Sequence, residues 1–481
     1  MLALAATGIC SMLGAAINII PFTIQRNVPG IGPNVLLAFA IGAIPAVFAG
    51  LAYAHLASAM PRAGGSYVYA SRALHPYLGF VASFSQWFGI CVAIGVVSYV
   101  LPNPFLRDIA DALSMDGLAA ALSTGSVRLI AALFFVWVFV AVNLRGLKLY
   151  TRTLVPLMFL MFALGGVVIA SGLLFDQADF LAALAARGES VPATDAAPPT
   201  LGSMLAASAI LFASFIGFDS IAQAGGEARN PGRNMPLAIG IAIVSVGAFY
   251  MLFTASVYHI VPWEFVAAQA MNQDVAAPGL LGYVLTPGWT VAIVCGAAIA
   301  LINDLPAMLL ATSRLMFAWA EDRVFPKRIA NVNQRWRTPH VALAASGLMA
   351  SGSIFGSHLA GDFFLGVDVL ATALMVNFLL MCVSVMTLPN RNPGIAEQAV
   401  FLRGRPGQLV VGICGSGLLA VFLVSHVAKD LRADVPAWYF HSTVLWIGVM
   451  AVASAIFVYH WKKLRRLGVD LEAQFAELPP D

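Results

Sequence analysis

Charge is what this 481-residue chain has least of. Lys, Arg, Asp and Glu together make up 10% of it, where a soluble domain carries roughly 25%. A chain this poor in charge and 60% hydrophobic has too few polar groups to cover a globular surface. Its mean hydropathy of +0.86 is that of a polytopic membrane protein, so dividing its length by a soluble-domain size would mislead. Cysteine is also sparse. Cys10, Cys91, Cys295, Cys382 and Cys414 all stand in apolar runs, with neither disulfide nor metal-ligand spacing, and are read as packing residues. No metal-ligand cluster, nucleophile–base pair or phosphate-cradling glycine loop is apparent, which argues against a membrane enzyme and against any metal or cofactor. The basic residues form short patches beside apolar runs, a pattern that suits membrane anchoring and lipid headgroups rather than nucleic acid. The first apolar run begins at Met1 and is too long for the core of a cleavable signal.

What is abundant is apolar sequence in lengths of about 20 residues, enough to cross a bilayer. Twelve spans are expected, at about 2–24, 35–58, 78–101, 128–146, 154–175, 202–225, 236–260, 288–318, 340–358, 363–388, 409–427 and 441–460. Turn chemistry falls between them, as in Pro29-Gly30, Pro61–Gly65 and Asn230–Arg233. Asp176–Thr200, richer in Ala, Pro and acids, is expected to be an exposed loop. Trp263, Trp438 and Tyr439 sit beside spans, where interfacial aromatics belong. With the N-terminus placed in the cytoplasm, about 20 of the Lys and Arg residues fall on the inner side and about 5 on the outer. That bias predicts a multi-pass cell-membrane protein with both termini cytoplasmic.

Two spans look interrupted. Span 1 contains Ser11–Pro21, SMLGAAINIIP, and span 6 contains Ala213–Ser220, ASFIGFDS, with an acid at Asp219. Backbone freed from a helix finds no water in lipid, so such breaks survive where they line a cavity, and in transporters that cavity holds the substrate. The breaks stand five spans apart, the interval expected if spans 1–5 and 6–10 are inverted repeats. The repeats would cover 1–175 and 202–388, with two additional spans over 409–460, in one transmembrane domain.

Gly217-Phe218-Asp219 followed by GGEARNPGRNMP resembles the sixth helix and following loop of permeases of the amino acid–polyamine–organocation (APC) superfamily. SMLGAAINIIP resembles the first-helix glycine motif. Leu51–Ser71 resembles the second helix and the re-entrant loop after it, and Leu310–Ala330 the eighth helix and its cytoplasmic end. The matches come in family order and cover spans 1–10. The resemblance implies an all-α LeuT-like fold, a 5+5 inverted repeat with discontinuous helices 1 and 6. Spans 1, 2, 6 and 7 would then move against a scaffold of 3, 4, 8 and 9. It implies secondary transport of an amino acid by alternating access, with a polyamine or other organic amine as the alternative substrate. A channel or non-transporting sensor on the same fold is the rival from another class, but neither a ring-forming pore motif nor an extra soluble domain is visible.

The resemblance places substrate at Gly14, Ala15 and Ala16 in span 1 and at Ser214, Phe215, Ile216 and Gly217 in span 6. Free N–H groups and the positive end of a half-helix would suit a carboxylate there; the alternative is that these small residues serve close helix packing. The family often has Gly where Ala16 stands and an aromatic near Asn18, so both positions bear on the ligand. Asp219 is a candidate for proton coupling or gating, set against a role capping freed N–H groups. Asp304 is not a family habit. It lies one turn before Met308, on the same helix face, and by resemblance that level of span 8 borders the substrate. There it would pair with a substrate amine or titrate; otherwise it caps a turn before Pro306 near the extracellular end of the span. His55 replaces the Glu of family sequences like YAELA and is a second proton-coupling or gating candidate. Gln86 and Trp87 are candidate cavity-lining residues, and Arg62 and Arg314 candidate partners for acids at an inner gate. Span 5 lacks the Lys that some proton-coupled relatives carry, and Thr312-Ser313 offers a weak sodium site. A small-molecule substrate, membrane lipids and a coupling proton, or failing that sodium, are the partners expected.

Overall fold

The computed structural model describes all residues except 15, 193–198, 224, 273, 361–363, 436, 480 and 481. Among the described residues, eleven helical segments are long and apolar enough to cross a membrane, and each coincides with a predicted span. The span expected at 340–358 is not one of the eleven; it falls on a 21-residue helix, His340–Ala360.

The first span is divided into α1 (Leu2–Met12) and α2 (Ala16–Asn27). Then come α3 (Val35–Ala59), the short α4 (Gly65–Ala73) and α5 (Pro76–Val100), followed by α6 (Gly125–Leu144) and α7 (Leu147–Leu174). The sixth span is divided into α8 (Leu201–Phe212) and the four-residue α9 (Ser220–Gln223). The chain continues through α10 (Pro231–Ile260), α11 (Pro287–Glu321), α12 (His340–Ala360) and α13 (Phe364–Arg391). Last are α14 (Arg405–Arg432), α15 (Ser442–Arg466) and the short α16 (Leu471–Ala476).

The helices pack in two sets of contacts, joined where α1 also touches α11 and α13 also touches α3. α3 lies against α8 and α10, and α1 against α10; α5 lies against α11 and α12, and α6 against α12. α13 packs on α5, on α14 and on α3. Lipid-facing positions such as Ile130, Phe134, Val244 and Val424 are exposed apolar side chains, which hydrocarbon tolerates and water would not.

The stretch read as an exposed loop at 176–200 is partly helical. Asp176 accepts from the backbone N–H groups of Ala178 and Asp179, and Asp179 reciprocates onto Asp176, forming a capping box that starts the helix Gln177–Ala186. Its Phe180 is buried and rests 5.1 Å from Phe265 and 5.2 Å from Tyr283, ring centre to ring centre. A ten-residue helix with an apolar contact every turn is too short for a hydropathy signal, so composition alone concealed it.

Candidate functional site

α1 ends at Leu13, whose φ of −88° and ψ of 67° leave the helical region. The last carbonyls of a helix have no partner inside it; here the Tyr250 hydroxyl donates to the Met12 carbonyl at 2.5 Å. α2 restarts at Ala16. In span 6, Ala213–Phe215 tightens into a 3-10 turn, Ile216 is extended with ψ 137°, and α9 begins at Ser220. Gly217 between them has a φ of +134°, and a Cβ there would overlap the Ser11 carbonyl. The two breaks therefore meet backbone to backbone, and only glycine allows it.

A cavity of about 90 Å³ opens at this meeting point, enough for several waters. Ser11, Met12 and Gly14 border it from the first break, Ala213 and Ile216 from the second. The remaining wall is aliphatic: Ile19 and Ile20 of α2, Val96, Val97 and Val100 of α5, and Val367 and Leu370 of α13. Asp304 and Met308 of α11 complete it, one turn apart as helical spacing requires. Among the described residues, Asp304 is the one ionisable side chain in this wall. It is 3% exposed, its Oδ1 accepts no hydrogen bond, and its Oδ2 lies against the first break, 2.6 Å from where a Cβ of Gly14 would stand. The capping alternative for Asp304 fails on geometry. α11 runs unbroken from Pro287 to Glu321 with Pro306 inside it, so Asp304 is mid-helix and there is no turn to cap.

The other expected residues divide. Ile216 and Gly217 belong to the meeting of the breaks. Ser214 is buried with an unpartnered hydroxyl, and Phe215 turns away from the cavity onto Phe39 and Tyr250. Asn18 also faces elsewhere, into a smaller space with Met161, Phe249 and Ile293. Ala15 lies outside the described residues, and of Ala16 only its place at the start of α2 is described.

Asp219 does not face the cavity. It is fully buried, accepts from the Gly217 N–H at 3.1 Å, and accepts from the Gln86 side-chain amide. The network continues: Gln223 donates to Gln86 Oε1 at 3.2 Å and to Ser66 Oγ at 2.8 Å, Ser66 meets the Tyr53 hydroxyl at 2.6 Å, and Asn377 donates to that hydroxyl at 2.6 Å. Spans 2, 3, 6 and 10 are thereby tied together. Gln86 is thus a partner of Asp219 rather than a lining residue, and Trp87 donates to Ser346 Oγ and packs on Phe84 and Trp319. His55 is remote from the cavity too. It is buried at the end of α3, with Nδ1 2.8 Å from the carbonyl of Phe401. Thr312 and Ser313 donate back to the carbonyls of Leu309 and Leu310 within their own helix.

Beyond this network lies a cluster of buried aromatic rings. Trp319 packs against Phe80, Phe84 and Trp87, and Phe218 stacks on Phe378 at 5.1 Å. At the surface of this half an ion pair closes the gap: Arg72, at the end of α4, donates to both oxygens of Asp322 at 2.5 and 3.1 Å. The pair is buried, and the chain after α15 folds over it. Arg72 Nε donates to the Glu477 carbonyl, Gln474 to the Asp322 carbonyl, and Arg62 to the Pro479 carbonyl. Sequence reasoning looked to Arg62 and Arg314 and missed Arg72. The signal was an arginine inside SYVYASRAL, a stretch otherwise without charge.

Two interrupted helices meeting at a mid-bundle cavity, with the other half of the bundle packed shut, define a membrane transporter architecture. Residues 1–452 match the family described as amino acid permease, and the chain belongs to that family, with its LeuT-like polytopic fold. A vacuolar cationic amino acid transporter 2 of Arabidopsis thaliana is 27% identical over 90% of this chain and 67% of its own length. The branched-chain amino acid permease BcaP of Bacillus subtilis is 24% identical over 81% of this chain and 80% of its own. A methylthioribose transporter of the same bacterium is 24% identical over 92% and 89%. For two further plant cationic amino acid transporters the alignment covers 57% and 61% of their length.

Proposed function

We propose that this protein is a secondary transporter that carries an amino acid across the membrane by alternating access around the cavity between its two interrupted helices. One observation carries the reading: the breaks in spans 1 and 6 converge, through Gly217 and Ser11, on a single cavity that also receives Gly14, Ile216 and Met308. Backbone released from two helices at one point supplies donors and acceptors beside an otherwise largely aliphatic wall. Gly14, Ile216 and Gly217, with Ala16 at the start of α2, form the polar backbone of the site, and the aliphatic wall takes the rest of the substrate. In this reading residues 1–175 and 202–388 are the two repeats whose relative rocking exposes the cavity to either side, and 409–460 flanks them.

A proton gradient or exchange for a second substrate drives the cycle. Among the three acids and bases considered for this step, Asp304 borders the cavity, whereas Asp219 is engaged with Gly217 and Gln86 and His55 lies at the end of α3. The distribution of Lys and Arg supports cytoplasmic termini, and with them an inner position for the Arg72–Asp322 pair.

The test is uptake by purified protein in liposomes. A labelled amino acid mixture should accumulate when the outside is acidified or when the lumen is preloaded with unlabelled mixture. A sodium gradient alone should drive nothing. Absence of uptake under all three conditions overturns the reading.

A further inference from the structure

The charge balance of the cavity points to the class of substrate, an argument that rests on the transport reading above. Asp304 is a carboxylate in an otherwise aliphatic wall, 97% withdrawn from solvent, with one oxygen unpartnered. Removing an ion from water costs several kcal/mol unless an opposite charge and hydrogen bonds compensate. No basic side chain borders the cavity among the described residues. The compensating charge comes either from a proton or from a cationic group of what binds, and the carbonyl-rich surroundings of Asp304 suit the second.

The backbone biases the site the same way. α1 and α8 both run into the breaks by their C-terminal ends, where the unpaired carbonyls carry partial negative charge. The Ser11 carbonyl stands at that point, beside Gly217. The one long half-helix that presents its N-terminus is α2, and the Asp304 Oδ2 already rests beside Gly14, just before α2 begins. A substrate carboxylate entering there meets the protein's own. Gly14 is what permits this approach, since a side chain at that position would collide with Asp304.

We propose that Asp304 seats the ammonium of the substrate and that the transported species carries one net positive charge. An ammonium has three donors; the Asp304 carboxylate and the carbonyl end of α1 are the acceptors at the cavity. A zwitterion would leave the cavity with a net negative charge, whereas a monocation neutralises it. Two kinds of molecule fit: an amino acid with a basic side chain, or an aliphatic amine without a carboxylate.

Thermal-shift and equilibrium binding measurements on the purified full chain with L-leucine, L-lysine and isoamylamine decide the matter. One or both of the monocations should bind at least tenfold more tightly than L-leucine. Binding of L-lysine alone identifies a basic amino acid as the source of the charge, and binding of isoamylamine alone an amine. Asp304→Asn should weaken the bound cation by roughly tenfold to a hundredfold, the loss expected for a charged hydrogen bond, and so reduce or abolish its preference over L-leucine. Should Asp304→Asn not fold, the comparison of the three ligands on the wild-type protein still decides. Equal or tighter binding of L-leucine overturns the proposal while leaving the transport site intact, as does unaltered cation affinity in a folded Asp304→Asn protein. Failure of both cations to bind also overturns it; uptake of the amino acid mixture then reports separately on whether the transport reading stands.

Discussion

Gly217 stands where a side chain would strike the end of α1. Its φ of +134° is closed to ordinary L residues and a Cβ would overlap the Ser11 carbonyl. Gly217→Ala should therefore abolish uptake in liposomes and lower stability by about 1–3 kcal/mol, the cost of a strained residue, read as a fall in apparent unfolding temperature. Uptake at the wild-type rate would remove this close approach from the mechanism. At the residue scale, much of this was legible. A glycine and an acid inside an apolar span announce a weakened helix, and Asp304 with Met308 shared a face because α11 is unbroken. Asn18 and Phe215 were assigned wrongly for the opposite reason: each lies next to a break, where the helical phase resets and counting along the sequence no longer predicts direction. Gln86 was found but misassigned. Its partner Asp219 is 133 residues away, and nothing local distinguishes a glutamine that lines a cavity from one that satisfies a buried acid.

Elements at the closed half depend on each other through Arg72 and Asp322. Arg72 ends α4, Asp322 follows α11, and the side chains are 1% and 6% exposed. Phe475 of α16 covers the guanidinium at 4.8 Å. A buried pair of this kind is costly to break from one side, about 3–5 kcal/mol, because the survivor is left charged and unpaired. Arg72→Ala and Asp322→Ala should each lower the apparent unfolding temperature more than the Arg72→Ala/Asp322→Ala double variant does. If the two single effects simply add in the double variant, the pair is not coupled. Long spans were legible as elements because twenty apolar residues have one cheap conformation in lipid. α4 came into view only by resemblance, since nine residues of mixed polarity carry no signal of their own. The helix Gln177–Ala186 stayed hidden for the same reason, although its capping acids were in plain sight.

For the whole molecule, the arrangement is asymmetric across its thickness. The cavity wall is drawn from α2, the later turns of α5 and the start of α13, all in one half, while the Trp319 cluster, the Asp219 network and the Arg72–Asp322 pair fill the other. Of the α5 residues lining the cavity, Val97 is partly exposed, whereas Ser83, about four turns earlier in α5, is fully buried. A cysteine scan tests whether this asymmetry sets the direction of access. In a background with the five native cysteines replaced, Val97→Cys should react with a membrane-impermeant thiol reagent added outside cells. Transported substrate should slow that reaction. The same reagent applied to inside-out vesicles should leave Val97→Cys largely unmodified, and Ser83→Cys should be protected from both sides. Faster labelling of Val97→Cys from the inner face would reverse the orientation derived from Lys and Arg. It would also move the Arg72–Asp322 pair from the inner side to the outer.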